Sequence, residues 1–114
     1  AAIAAVPGLH GVFIGPNDLS LSLGVPPSSA PRHPKVVEAI VTIRDAARAA
    51  GKHAGIFCGD GAFAGEMAAQ GFNFVIAGTD TGLLAGAAAK ELAAARRQGM
   101  DQGGASAPKP GAGY

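Results

Sequence analysis

A single carboxylate, Asp18, stands where α/β proteins commonly keep their chemistry. It follows the apolar run 11–14, which is bounded by glycine and predicts a buried strand. Gly15, Pro16 and Asn17 then predict a loop at the C-terminal rim of a sheet, where such folds bind ligands and metals. Hard divalent cations prefer carboxylate oxygens, so Asp18 is a candidate metal ligand. The alternative is a turn former or a helix N-cap.

The stretch GVFIGPNDLSLSLG, residues 11–24, resembles the signature segment of the HpcH/HpaI class II aldolases. Three later stretches are similar to this family in the same order: His33-Pro34, AGIFCGD at 54–60 and GFNFVIAGTDTGLL at 71–84. The resemblance covers roughly residues 1–97. It implies an α/β (β/α)₈ TIM barrel, of which this chain would supply the C-terminal three βα units.

The resemblance also implies a chemistry. Family members cleave 4-hydroxy-2-oxo acids to pyruvate and an aldehyde through a metal-stabilised pyruvate enolate, with Mg²⁺ or Mn²⁺ as the cation. Asp18 would be one metal ligand, and a Glu preceding Ala1 would be another. Asn17 would offer its backbone N–H to the substrate carboxylate, within a substrate-binding turn formed by Gly15, Pro16, Asn17 and Asp18.

No catalytic residue is assigned within this chain. The family's base is a histidine in an earlier segment, where an arginine also contacts the substrate, and neither has a match here. His10 and His53 precede strands and His33 adjoins a helix start, so we expect surface or capping roles for them. Cys58 has no activating histidine beside it in the sequence and is expected to be structural.

Hydrophobic spacing predicts three strands, near residues 11–14, 54–57 and 73–77. Helices are predicted from Pro34 to Ala50, over 61–70 with Asp60 as cap, and from Thr81 to Arg97, the last of these partly buried. Thr79 or Asp80 either caps that last helix or borders an anion site. A proline-containing loop, Ser20 to His33, either shapes the site or merely crosses the rim.

Length sets a limit on this fold. The chain has 114 residues and begins with Ala1, whereas a closed barrel needs eight βα units and about 250 residues. We therefore expect a piece of a longer polypeptide, with residues 1–97 belonging to the barrel domain. Residues 98–114 are rich in Gly, Ser and Pro and are predicted to be a disordered tail.

Composition excludes several classes of partner. Nine Lys and Arg against eight Asp and Glu leave a net charge of +1, which predicts no nucleic-acid surface. No apolar run reaches the ~18–20 residues of a membrane span. One cysteine rules out an internal disulfide and favours a cytoplasmic protein. The expected partners are a small 2-oxo acid of the pyruvate type and, by resemblance, further copies in a homo-oligomer, a hexamer.

Three hypotheses remain open. The favoured one is the metal-binding C-terminal part of a pyruvate-dependent aldolase. The second is a non-catalytic remnant or interaction module that lacks the base, the Arg and the Glu. The third is the citrate lyase β-subunit branch, acting on acyl-CoA esters, which ranks lower because GPNDLS at 15–20 resembles the aldolase branch.

Overall fold

Three parallel strands form the sheet of this protein, seen in a computed structural model that describes the backbone of residues 2–103 and the side chains of residues 2–99. The strands are β1 (Gly11–Ile14), β2 (His53–Cys58) and β3 (Phe74–Ala77), with β2 in the middle. Ile14 pairs with Ile56, and Cys58 pairs with Ala77. The three carboxyl ends therefore lie at one edge of the sheet, and the predicted α/β class with parallel strands is confirmed.

Four α-helices accompany these strands in the described residues, after a short 3₁₀ turn at Ile3–Ala5. They are α1 (Pro16–Ser22), α2 (Pro34–Ala49), α3 (Gly61–Ala69) and α4 (Asp80–Gly103). Both α1 and α2 lie between β1 and β2 in the chain. Residues 1–79 form one compact unit, and α4 belongs to a second unit.

The predicted helix starts are confirmed at α2 and α3. Pro34 occupies the first turn of α2, and the His33 imidazole Nδ1 accepts the Lys35 N–H at 3.3 Å. Asp60 caps α3, because its Oδ1 accepts the Phe63 N–H at 2.8 Å. The start of each helix is thus fixed by a side chain of the residue just before it.

The hydrophobic core lies between one face of the sheet and helices α2 and α3. Val36, Ile56 and Cys58 are fully enclosed there. The spacing that predicted α2 is confirmed by the burial of Val36, Ile40 and Ala47. Ala50 lies just beyond the helix and is exposed.

The other face of the sheet is open in this chain. Phe13 is 48% exposed and Phe74 is 58% exposed, although both are aromatic strand residues. Their rings meet at 5.7 Å between centroids across Gly55, whose missing Cβ leaves room for them. An apolar face of this kind normally packs against further structure.

Two predicted boundaries are wrong. Asp18 was expected in a loop, but residues 16–22 form helix α1, because Pro16 suits the first helical position and Asp18 suits the first turn. The irregular segment is correspondingly shorter than the predicted Ser20–His33 loop. Helix α4 runs six residues beyond Arg97, to Gly103, since each added helical residue gains a hydrogen bond.

Helix α4 therefore extends into the segment 98–114 that was predicted to be disordered, and residues 104–114 lie outside the described part of the chain. The helix was expected to be partly buried, yet Leu83, Leu84 and Leu92 are all more than half exposed. Across residues 2–103, no helix combines the length and the apolar character needed to cross a bilayer.

Candidate functional site

The carboxyl edge of the sheet is built from glycines that follow the strands. The Gly78 N–H donates to the Cys58 carbonyl at 2.7 Å, tying the end of β3 to the end of β2. The Gly59 N–H donates to the Ser29 carbonyl at 3.1 Å. The irregular segment 23–33 therefore runs over the end of β2, on the same edge of the sheet as Asp18.

Asp18 lies in the first turn of α1, directly after β1. Its side chain folds back towards Gly15, so that Oδ2 lies 3.0 Å from the position that a Cβ on Gly15 would occupy. A side chain at position 15 would crowd this oxygen. The helix dipole favours a negative charge here, and the carboxylate is exposed to solvent.

A cavity of about 720 Å³ lies beside β1, and Asp18 is the charged residue in its lining. Apolar side chains supply most of the wall, among them Val12, Leu19 and Ile43. Within the described side chains, no hydrogen bond or ion pair engages the Asp18 carboxylate. Its oxygens are therefore available to a ligand from outside this part of the chain.

The structure brings the four predicted site residues into one turn. Gly15 is the N-cap of α1, Pro16 is its fully buried first residue, and Asn17 and Asp18 are exposed beside it. The first helical bond runs from the Leu19 N–H to the Gly15 carbonyl at 2.9 Å. The N–H groups of Asn17 and Asp18 precede that bond and so have no partner inside the helix.

This turn could hold one oxygen ligand of a divalent cation, but not a complete metal site. Among the residues whose side chains are described, no group of three or more His, Cys, Asp or Glu lies close enough together to bind a metal. A single carboxylate fits a hard cation that takes its other ligands from elsewhere.

Two contacts that the sequence did not predict secure α1. The Ser20 hydroxyl, fully buried, donates to the Pro16 carbonyl at 2.7 Å. The Lys35 ammonium donates to the Leu23 carbonyl at 2.8 Å, at the other end of the helix. A serine inside a helix can bond to the carbonyl four residues earlier, so the first contact could have been predicted had the helix been recognised.

An ion pair attaches segment 23–33 to α3. The Arg32 guanidinium donates to both carboxylate oxygens of Glu66, at 2.6 and 2.9 Å, and lies 5.5 Å from the centre of the Phe63 ring. These hydrogen bonds and the positive charge of Arg32 lower the pKa of Glu66. Both side chains are solvent-exposed, so the pair orients the segment more than it stabilises the fold.

The remaining candidate residues have structural surroundings. Burial, and to a lesser extent the charge of Asp60, raises the pKa of the Cys58 thiol, which is opposite to the shift of an activated nucleophile. His53 starts β2, at the edge opposite Asp18, and its Nδ1 lies 2.8 Å from the Asn73 side-chain nitrogen. Asp80 Oδ1 accepts the Thr81 N–H at 2.7 Å, at the start of α4.

Comparison with known proteins supports the resemblance seen in the sequence. Residues 1–87 match the family described as HpcH/HpaI aldolase/citrate lyase. A solved structure of a family member from Burkholderia cenocepacia superposes with a TM-score of 0.78 at 36% identity, covering 82% of this chain and 36% of that one.

Two relatives of known activity are similar over most of this chain. A hydroxypyruvate/pyruvate aldolase from Rhizorhabdus wittichii is 49% identical over 94 residues, which are 82% of this chain and 38% of the relative. A 2-keto-3-deoxy-L-rhamnonate aldolase from Salmonella paratyphi B is 47% identical over 92 residues, 81% of this chain and 34% of the relative. The chain thus spans little more than a third of these relatives.

Proposed function

The chain belongs to the HpcH/HpaI aldolase/citrate lyase family, and we propose that it forms the C-terminal, metal-binding part of a pyruvate-dependent aldolase. The proposed reaction is cleavage of a 4-hydroxy-2-oxo acid to pyruvate and an aldehyde. The observation that carries the proposal is Asp18, a carboxylate with no partner among the described side chains, folded over Gly15 at the carboxyl edge of a parallel sheet. The names of the two aldolase relatives support the reaction class.

We assign Asp18 as one ligand of a divalent cation, Mg²⁺ or Mn²⁺. The fit rests on the chemistry of the donor, because hard cations prefer carboxylate oxygens, and the carboxylate of Asp18 faces solvent and is unengaged within the described part of the chain. The other protein ligands would come from outside the described residues. When bound, the cation would supply Lewis-acid activation of the 2-oxo acid.

The residues before Asp18 would position the substrate. Pro16 is buried and fixes the backbone at the start of α1, so the Asn17 N–H has a defined direction. That N–H would bind the substrate carboxylate, as the family resemblance implies. Gly15 would serve by lacking a Cβ, since the space beside it is needed by the Asp18 carboxylate.

The proton transfers of the reaction need groups that the described residues do not place beside Asp18. None of His10, His33 and His53 lies in the Asp18 turn, and His53 is at the opposite edge of the sheet. We therefore propose that a longer polypeptide completes the barrel and contributes the base, the substrate-binding arginine and a second carboxylate. Assembly of such polypeptides into a hexamer is part of the same proposal.

Pyruvate release tests this function directly. The natural polypeptide that carries these residues would be given 4-hydroxy-2-oxo acids of different tail length, and pyruvate would be measured by coupling to lactate dehydrogenase. We expect pyruvate formation that a chelator abolishes and that added Mg²⁺ or Mn²⁺ restores. A polypeptide that forms no pyruvate from any of these acids in the presence of either metal would refute the proposal.

A further inference from the structure

Ser20 is a buried polar residue in a short helix that carries two exposed site residues. Its side chain has 0% exposure, whereas Asn17 and Asp18 in the same helix face solvent. A buried hydroxyl must be hydrogen-bonded to be tolerated, and the Ser20 Oγ donates to the Pro16 carbonyl at 2.7 Å. The hydroxyl therefore bonds back to the first residue of the helix.

The main-chain carbonyl of Ser20 is also engaged, by two N–H groups. Its carbonyl accepts the Leu23 N–H at 3.1 Å and the Val25 N–H at 2.9 Å. The Lys35 ammonium holds the Leu23 carbonyl in addition. Ser20 thus links the fixed C-terminal end of α1 to its first turn.

Serine is a costly choice for this position if packing alone matters. A serine that bonds back to the carbonyl four residues earlier slightly destabilises and often bends a helix. Alanine would fill most of the same volume and is the better helix former. The bond spans the turn that carries Asp18, so its effect on that turn can be separated from its effect on helix stability by experiment.

We propose that Ser20 is a positioning residue for the Asp18 carboxylate, an inference that rests on the proposed function. The Leu19 N–H bonds to the Gly15 carbonyl, and the Ser20 Oγ is a second donor, beside the helix main chain, to the Pro16 carbonyl. Without the hydroxyl the Pro16 carbonyl keeps only its main-chain helix bond, so the Pro16 peptide is less restrained and the carboxylate two residues later can shift with it. Groups hydrogen-bonded to a metal ligand change metal affinity about tenfold to 100-fold when removed, and Ser20, which would act through the backbone, is expected at the lower end of this range.

The test compares serines of the same helix. Ser20→Ala removes the buried bond, and Ser20→Cys keeps a side chain of similar length with a much weaker donor. Ser22→Ala is the matched control, because the Ser22 hydroxyl also bonds to a carbonyl of α1, that of Leu19 at 2.8 Å, but is exposed and lies after Asp18. Mn²⁺ affinity of the natural polypeptide would be measured by electron paramagnetic resonance, below the unfolding temperature of each variant.

We expect Ser20→Ala to weaken Mn²⁺ binding about tenfold, Ser20→Cys to weaken it less, and Ser22→Ala to leave it at the wild-type value. For Ser20→Ala, we expect kcat measured at saturating Mn²⁺ to lie closer to its wild-type value than kcat/KM measured at low Mn²⁺ does. If Ser20→Ala does not fold, weakened Mn²⁺ binding by Ser20→Cys is the supporting result.

Wild-type Mn²⁺ affinity in every folded Ser20 variant would overturn this inference, even if the melting temperature falls, because a packing role moves stability alone. Asp18→Asn is measured alongside. If it abolishes Mn²⁺ binding while the Ser20 variants do not weaken it, the proposed function stands and only the role of Ser20 fails. If Asp18→Asn binds Mn²⁺ normally, both fail.

Discussion

Individual side chains at the carboxyl edge of the sheet fall into two groups, those engaged with other residues and those left free. Ser20, Arg32 and Glu66 are all hydrogen-bonded, and they secure the helix and the segment around the site. Asp18 has no such partner in the described residues. Such a carboxylate, next to residues that hydrogen bonds hold in place, is suited to binding a cation.

The Arg32–Glu66 pair makes stability depend on pH. Arg32 lowers the pKa of Glu66 in the folded state, so the pair stabilises the fold above the unfolded pKa of Glu66 and this contribution is lost as pH falls through the lower, folded pKa. We expect Glu66→Gln to lower the melting temperature at pH 7 in low salt, and the difference from wild type to shrink below about pH 4.

Glu38→Gln provides the control for this prediction. Glu38 is an exposed carboxylate on α2 for which the described side chains provide no ion pair. Its replacement should leave the melting temperature unchanged across the same pH range. Equal melting profiles for Glu66→Gln and Glu38→Gln would mean that the ion pair contributes nothing to stability.

At the scale of elements, the strands and the two longer core helices could be predicted from the sequence. Their signals are local: an apolar run bounded by glycine at β1, a cap by Asp60 at α3, a stripe of buried residues in α2. Helix α1 was not predicted because its seven residues are too few for a clear apolar period. Pro16 and, two residues later, Asp18 are typical of the first turn of a helix, but a proline after glycine also fits a loop.

The candidate site was predicted as a set of residues but not as a geometry. Gly15 to Asp18 could be identified from one segment of sequence, and the structure puts all four in a single turn. The contacts of Ser20, Lys35 and Arg32 could not be predicted, because a hydroxyl or a charged side chain gives no periodic signal that names its partner. Burial of Ser20 in particular depends on how α1 packs in three dimensions.

The close packing of the strands makes Gly55 a sensitive position. A Cβ there would lie 2.7 Å from Phe13 Cδ2 and 3.0 Å from Phe74 Cδ1. We expect Gly55→Ala to lower the free energy of unfolding by about 1–3 kcal/mol, because both rings must move. Urea unfolding of the natural polypeptide would measure it.

Gly65 gives the matched control for this substitution. It lies inside α3, with no atom within 4 Å of an added Cβ. Gly65→Ala should raise the free energy of unfolding by about 0.5–1 kcal/mol, since alanine is the better helix residue. If Gly55→Ala is as stable as wild type, the Phe13 and Phe74 rings are not tightly packed against position 55.

At the scale of the whole molecule, the open face of the sheet is the main feature. Phe13, Phe74 and Ile76 are exposed on strands, and β1 and β3 each have one unpaired edge within the described sheet. Such edges and faces associate with other chains unless covered. In the proposed barrel, further strands would cover them.

The 114-residue chain expressed alone should therefore self-associate. We expect sedimentation velocity to detect species larger than the 11.1 kDa chain and urea unfolding to lack a single sharp transition. A monomer that unfolds cooperatively would show that these residues form an independent domain, and the proposal of a longer barrel would lose its physical support.

The most direct test of the account is the metal dependence of pyruvate formation by Asp18→Asn in the natural polypeptide. Asp45→Asn is the control, because Asp45 is an exposed carboxylate that pairs with Arg44 on α2. We predict that Asp18→Asn lowers metal-dependent pyruvate formation about 100-fold or more while Asp45→Asn retains the wild-type rate. Asp18→Asn could instead form pyruvate at the wild-type rate, with the same dependence on metal concentration as the wild type. That result would contradict the assignment of Asp18 as a metal ligand, and with it the central claim.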